Sequence, residues 1–205
     1  MCGKVNPSAK LPETFPKKLR TDIDYPGNGY NVEYNEKLSV GYRYYDKHPE
    51  DICYPFGFGL SYTEFSYSDI SVCENGDDYD VSFKLKNIGN CAGAEVVQLY
   101  ISDPISVVKK SEKELKKFKK VYLESGEEQV VCLTLTKEDF AYYNVMLKDW
   151  VVENGTYEIL VGSSSRDIHL KTEINYNRKM PYSTTQTGTD MMGDISEGTL
   201  ICFGE

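Results

Sequence analysis

The sequence predicts an all-β fold: a β-sandwich, preceded by an irregular docked arm and followed by a polar tail. Three observations predict it. Over residues 63–176, about seven short stretches alternate apolar and polar side chains between turn-forming clusters, the pattern of half-buried strands in a sandwich. Residues 1–53 hold only short apolar pieces among prolines and glycines, too little to bury a core of their own. Between the two lies Tyr54-Pro55-Phe56-Gly57-Phe58-Gly59-Leu60-Ser61-Tyr62, too apolar for a free loop and too broken for a long helix. Its glycines permit backbone angles closed to other residues, and Pro55 biases Tyr54 towards extended geometry. Residues 54–62 are read as an aromatic joint pinning two bodies together.

Along the arm, Asn6-Pro7-Ser8, Leu11-Pro12, Phe15-Pro16 and Pro26-Gly27-Asn28-Gly29 are turn-like. Ser39–Tyr45 is a short apolar piece that must lie across a neighbour, either the sandwich or something beyond it. Phe65 to Val72 reads as the first strand, ended by the turn Glu74-Asn75-Gly76-Asp77-Asp78. Val81, Phe83 and Leu85 alternate with polar residues, and Asn87-Ile88-Gly89-Asn90 turns the chain. Val97, Leu99 and Ile101 form one inward face. The other face, Val96, Gln98 and Tyr100, is less polar than solvent alone would require.

Residues 104–114 read as a charged loop. Leu115, Phe118 and Val121 recur at helical spacing, so a short helix and a strand over Lys119–Leu123 are equally expected there. Val131, Leu133 and Leu135 alternate as a strand. Thr136 can cap one helical turn over Lys137–Tyr143, with Asp139 at the capping-box position. Trp150–Val152 is short and apolar, and Asn154-Gly155 signals a tight hairpin. Tyr157, Ile159 and Val161, then Ile168, Leu170, Thr172 and Ile174, close the series. Residues 177–205 are polar without period and read as a tail or linker.

Composition limits the function. The net charge of -9 and the pI of about 4.9 repel phosphate backbones, which argues against a nucleic-acid partner. The lysines of Lys109–Lys120 are interrupted by Glu112 and Glu114 and read as a solvated face. No apolar run is long enough to span a bilayer, so no membrane partner is expected. Met1–Asn6 lacks the apolar core of a secretion signal. The six cysteines form no CxxC pair and are expected as free, buried or half-buried thiols. Together these features predict a reducing, cytoplasmic setting. The 17 tyrosines suit strands and half-buried surfaces.

Spacing alone shows no active site. The two histidines, His48 and His169, are far apart in sequence and expected to face solvent, so no metal site is predicted. Gly59-Leu60-Ser61-Tyr62-Thr63 lacks the second glycine of a nucleophile elbow around Ser61. Asn75–Asp80 lacks calcium-loop spacing. Asn154-Gly155-Thr156 matches a glycosylation acceptor, relevant only in a secreted eukaryotic protein. The 32 carboxylates include no two marked as sharing a cleft.

Several motifs resemble a known family. Asn6–Pro16 is similar to the NPSGKLPVTFP segment of family-3 glycoside hydrolases, the β-glucosidase and β-xylosidase family. Val40–Asp46 resembles its GYRYYD motif, and Pro55–Phe65 its PFGFGLSYTxF motif. Leu115–Glu127 is similar to the LxGFxKVxLxPGE run of its fibronectin type III-like domain, and Val161–Ile168 to the VGSSSRDI ending. The resemblance covers roughly residues 3–175, with Lys117 where the family often has Gly and Ser125 where it often has Pro.

The resemblance implies a fibronectin type III-like, immunoglobulin-like sandwich over 63–176. Residues 1–53 would be the closing segment of an α/β domain. It also implies that the nucleophilic Asp, in a barrel domain, and the acid/base Glu, in the α/β domain, lie outside this chain. Catalytic residues, metals and cofactors are therefore not expected here. The expected role is an accessory, structural module of a retaining β-glycosidase, inactive alone. Tyr42, Tyr44, Tyr45, Tyr54, Phe56, Phe58 and Tyr62 would dock on the parent's barrel and α/β domains, and β-glycosides would be met only through that parent. The alternatives are a carbohydrate-binding module, which needs a planar row of exposed aromatics, and an adhesion module, which needs a secretion signal or anchor.

Overall fold

The computed structural model describes residues 5–18, 30–106, 108 and 110–177. The tail 178–205, the turn cluster Pro26–Gly29, Cys2 and Cys202 lie outside the described residues. The elements in chain order are β1 (Phe15–Pro16), α1 (Tyr42–Tyr45), β2 (Ile52–Tyr54), β3 (Phe65–Asn75), β4 (Asp78–Asn87), β5 (Gly93–Ser102), β6 (Glu114–Leu123), β7 (Glu128–Leu135), α2 (Lys137–Phe140), β8 (Tyr142–Asn144), β9 (Asp149–Val151), β10 (Gly155–Gly162) and β11 (Ile168–Tyr176).

Seven of these strands make the sandwich. One antiparallel sheet has the order β11-β10-β5-β6 and the other β3-β4-β7. The alternating residues meet between them: Val81, Phe83 and Leu85 of β4 face Val97, Leu99 and Ile101 of β5, with Val131, Leu133, Leu135, Ile159 and Val161 completing the core. Period-two patterning puts every second side chain on that face. One end is closed by aromatics. Thr136 N–H donates to Asp139 Oδ2 at 2.8 Å, fixing α2, which drives Phe140 between Tyr79, Tyr157 and Tyr176 with centroids 5.2–5.6 Å away. The capping turn read from the sequence is present, with Asp in the role usually taken by Glu or Gln, but it ends at Phe140 and not at Tyr143, because Tyr142 and Tyr143 pair with Val151 and Trp150.

The structure settles or revises four expectations. The stretch 115–121 is strand: Glu114–Leu123 pairs with β5 along its length, with a register shift between Leu99 and Tyr100. Phe118 lies opposite Gln98 and is exposed while Val121 is buried, so the helical spacing marks no common face. The first strand continues to Asn75 and turns through Gly76 (φ 63°) and Asp77. Asn154-Gly155 is not a tight hairpin. β9 pairs back with β8 instead, and Gly155 opens β10, which pairs with β11 and β5. Beside Asn154, Glu153 is held by Lys110 at 2.8 Å and its carbonyl accepts the Tyr157 hydroxyl at 2.9 Å. Finally, Cys53, Cys73, Cys91 and Cys132 are free but exposed, not buried or half-buried as expected; Cys73 and Cys132 lie on the alternation opposite the core positions of their strands.

Replacing Phe140 by alanine removes the plug of the aromatic end. It is expected to cost about 3–5 kcal/mol, read as a lowered urea midpoint with unchanged slope.

Candidate docking surface

β5 breaks the simple alternation. Val97 to Ile101 are all buried, because the strand is covered on both faces. The outward residues Gln98 (3% exposed) and Tyr100 (0%) lie beneath the joint. This explains the weakly polar outer face noted in the sequence.

The Gln98 amide is fully used. Its Nε2 donates to the carbonyls of Gly57 (3.1 Å) and Ser163 (2.6 Å), and its Oε1 accepts the Tyr100 hydroxyl at 2.6 Å. Gly57 must be glycine twice over. Its φ is 78°, and a Cβ there would stand 2.2 Å from Gln98 Oε1. Ser165 N–H donates to Phe56 O at 2.9 Å, and Phe56 N–H to Thr14 Oγ1 at 3.2 Å. Leu11 and the joint exchange backbone bonds, Leu11 N–H to Phe58 O and Gly57 N–H to Leu11 O. At the far end Asn6 Oδ1 accepts from Ser61 Oγ and Tyr62 N–H, while its Nδ2 donates to Ala92 O. Lys10 reaches Glu95 at 2.7 Å.

The second anchor is α1. Tyr42 stacks on Phe56 with centroids 4.9 Å apart, meets Tyr100 edge-on, and its hydroxyl accepts the Leu115 N–H at 2.9 Å. Burial raises the Tyr42 pKa, so the hydroxyl stays protonated. One residue past α1, Asp46 (side chain 1% exposed) pairs with Lys113 at 2.5 Å. Burial raises the Asp46 pKa, opposed by Lys113.

The residues expected at this surface therefore divide. Tyr42, Tyr45 and Phe56 turn inward, Tyr45 being buried. Tyr44 stacks on His48, and Phe58 lies against Tyr54 at 5.1 Å. Tyr54 and Tyr62 are exposed, as are Tyr30, Val32, Tyr34, Leu38 and Val40 of the arm. Sequence reasoning missed Asn6, Thr14, Asp46, Gln98 and Lys113 as fasteners; only the apolar surroundings of Gln98 gave a signal.

Other chemistry is sparse. His48, Glu50 and Asp51 bring ligand-type atoms within 4.8 Å of one another, but on an exposed turn. Asp103 and Glu153 both hold Lys110, at 2.7 and 2.8 Å. The lysine is already between them, unlike two carboxylates flanking a sugar bond.

Residues 95–165 match the family model described as a fibronectin type III-like domain. The chain is 48% identical to the thermostable beta-glucosidase B of Acetivibrio thermocellus over 97% of its own length and 28% of that protein. It is 39% identical to an exo-alpha-(1->6)-L-arabinopyranosidase of Bifidobacterium breve, over 81% of this chain and 22% of that one. The GH3 beta-glucosidase structure of Bifidobacterium adolescentis superposes with a TM-score of 0.81 at 36% identity, covering 90% of this chain and 28% of that one. The chain thus spans about a quarter of the length of the proteins it matches.

Removing Lys113 (Lys113→Ala) strands a buried carboxylate and is expected to cost about 3–5 kcal/mol at neutral pH. The folded-state pKa of Asp46 is raised, so protonation favours the folded state: that contribution is present at low pH and lost as pH rises through the folded value. The cost of Lys113→Ala should shrink on acidification, measured by urea unfolding at neutral and mildly acidic pH. An equal cost at both would contradict the assignment.

Proposed function

We infer that this chain, a fibronectin type III-like segment of the family-3 glycoside hydrolase kind, braces a larger sugar-cleaving enzyme and does not itself cut glycosides. The observation that carries this reading is the mismatch of lengths: 97% of the chain aligns with 28% of a β-glucosidase. What aligns is a sandwich whose polar groups are spent on holding its own arm. A glucosidase and an arabinopyranosidase are both similar to this segment, which fits a part that does not choose the sugar.

In this proposal the working carboxylates reside in the barrel and α/β domains of the parent. Residues 1–53 close the α/β domain, and residues 54–62 join it to the sandwich. Tyr42, Tyr45 and Phe56 set the angle of the arm from within. Tyr44, Tyr54, Phe58 and Tyr62 supply side chains to the neighbour. Burying a large apolar ring contributes about 1.5–3 kcal/mol, and a stable contact needs roughly 1,000 Å² in total. The four exposed thiols fit a reducing compartment, and a cytoplasmic setting is proposed with it.

The purified chain should bind a hydrophobic dye and show no turnover of an aryl β-glucoside above buffer. Hydrolysis that a point substitution in this chain abolishes would overturn the reading. Retardation of the chain in a glucan-containing gel would favour a sugar-binding module instead.

A further inference from the structure

We propose that the β8–β9 hairpin is a second contact point for the rest of the enzyme, a seat for a neighbouring domain of the same polypeptide. This rests on the bracing role and extends it to a surface away from the arm and the joint. The hairpin pairs Tyr142 with Val151, Tyr143 with Trp150 and Asn144 with Asp149, and stands outside both sheets of the sandwich. Tyr143, Val145, Met146, Leu147 and Trp150 are all exposed, Met146 at 78% and Trp150 at 66%. Single exposed apolar residues are ordinary, but five within eight positions make a patch.

The patch is preformed. The Tyr143 and Trp150 rings meet edge to face at 5.7 Å and 73°. Asn144 Oδ1 accepts the backbone N–H groups of Met146 and Leu147 at 3.0 and 3.1 Å, which fixes the tip. Its chemistry selects a protein surface. A sugar platform presents ring faces fringed by hydrogen-bonding groups, whereas here the rings are nearly perpendicular and Val145, Met146 and Leu147 fill the tip. Aromatic and methionine side chains are the residues enriched where proteins pack together.

The position selects which protein. The Lys110 ammonium lies 4.6 Å from the Tyr142 ring centroid and holds both Asp103 and Glu153. Three residues on, Lys113 holds Asp46 beside α1. The loop leading into β6 thus ties the hairpin to the arm, whose exposed residues face the proposed parent domains. The relative at 48% identity carries about three-quarters of its length outside the matched stretch, so the nearest candidate to cover the patch is the polypeptide joined to it.

The test is photo-crosslinking in an assembled enzyme, beta-glucosidase B of Acetivibrio thermocellus carrying this chain in place of its aligned stretch. The photoreactive residue p-benzoylphenylalanine is placed at Met146, at Tyr34 in the arm, or at Val130 on the exposed face of β7 as a control. The proposal expects Met146 to link to residues outside the spliced stretch while Val130 does not. A link from Tyr34 with none from Met146 sinks the hairpin contact and leaves the bracing role standing; links from neither sink both. A link from Met146 only to a second copy overturns the choice of partner. If the splice does not fold, the aligned positions of the unspliced enzyme give the same reading. Trp150 is the only tryptophan, so in the free chain its emission should be readily quenched by acrylamide. Slow quenching in the monomer, or protection by cellobiose, would overturn the proposal.

Discussion

Gln98 points away from the sandwich core and is nevertheless buried. An amide removed from water without partners costs roughly 2–7 kcal/mol, so its three hydrogen bonds are a condition of the fold and not an addition to it. Two of the partners are backbone carbonyls that exist in the right place only when the joint crosses β5 with Gly57 in a left-handed conformation and the 163–165 turn comes up beside it. The strand that forms the centre of the core thereby specifies the path of the chain outside it. Lifting the joint would return Gln98 to water and uncover Tyr100 in the same movement. The arm and the sandwich are energetically one object along this seam.

The Asp46–Lys113 pair works differently. Buried ion pairs are weak evidence of net stability, since desolvation offsets much of the attraction. Their value is in rejecting wrong arrangements, because either partner left alone is costly. With the Gln98 clamp fixing the joint and the ion pair fixing α1, the arm is held at two separated points of the same sheet. Tyr42 completes the constraint by bridging the joint and β6: its ring packs on Phe56 and its hydroxyl accepts the Leu115 N–H.

Much of this was legible in the sequence. The strands of the sandwich follow from the alternation of residues such as Val81-Phe83-Leu85 and Val131-Leu133-Leu135, because each has one wet face and one dry face. The joint was legible as an unusual density of glycine and aromatics. Three things were not. Leu115, Phe118 and Val121 mimic a helix only because periodicity cannot see that β5 needs a neighbour. Asn154-Gly155 has turn chemistry, but the strands on its two sides find other partners, β9 in β8 and β10 in β11 and β5, which a dipeptide cannot record. The fasteners Asp46 and Lys113 look like ordinary surface residues, since their burial comes from chain that crosses over them, which no local pattern records; Gln98 showed only in the weakly polar face it shares with Val96 and Tyr100.

The same two anchors bear on the bracing role proposed above. Association is opposed by the ordering of side chains and loops at the interface. Here much of that ordering is complete before any neighbour arrives. β1 pairs with β2, Asp46 is locked to Lys113, and the Tyr143–Trp150 cluster is set on a fixed turn. The exposed residues 32–40 enter α1 directly, so their downstream end is already positioned against β6. In the proposed bracing role, a neighbouring domain would meet an apolar surface whose conformational cost has been met inside this segment. In that role the segment would act by limiting the arrangements its neighbours can adopt, which is a role that geometry alone can perform.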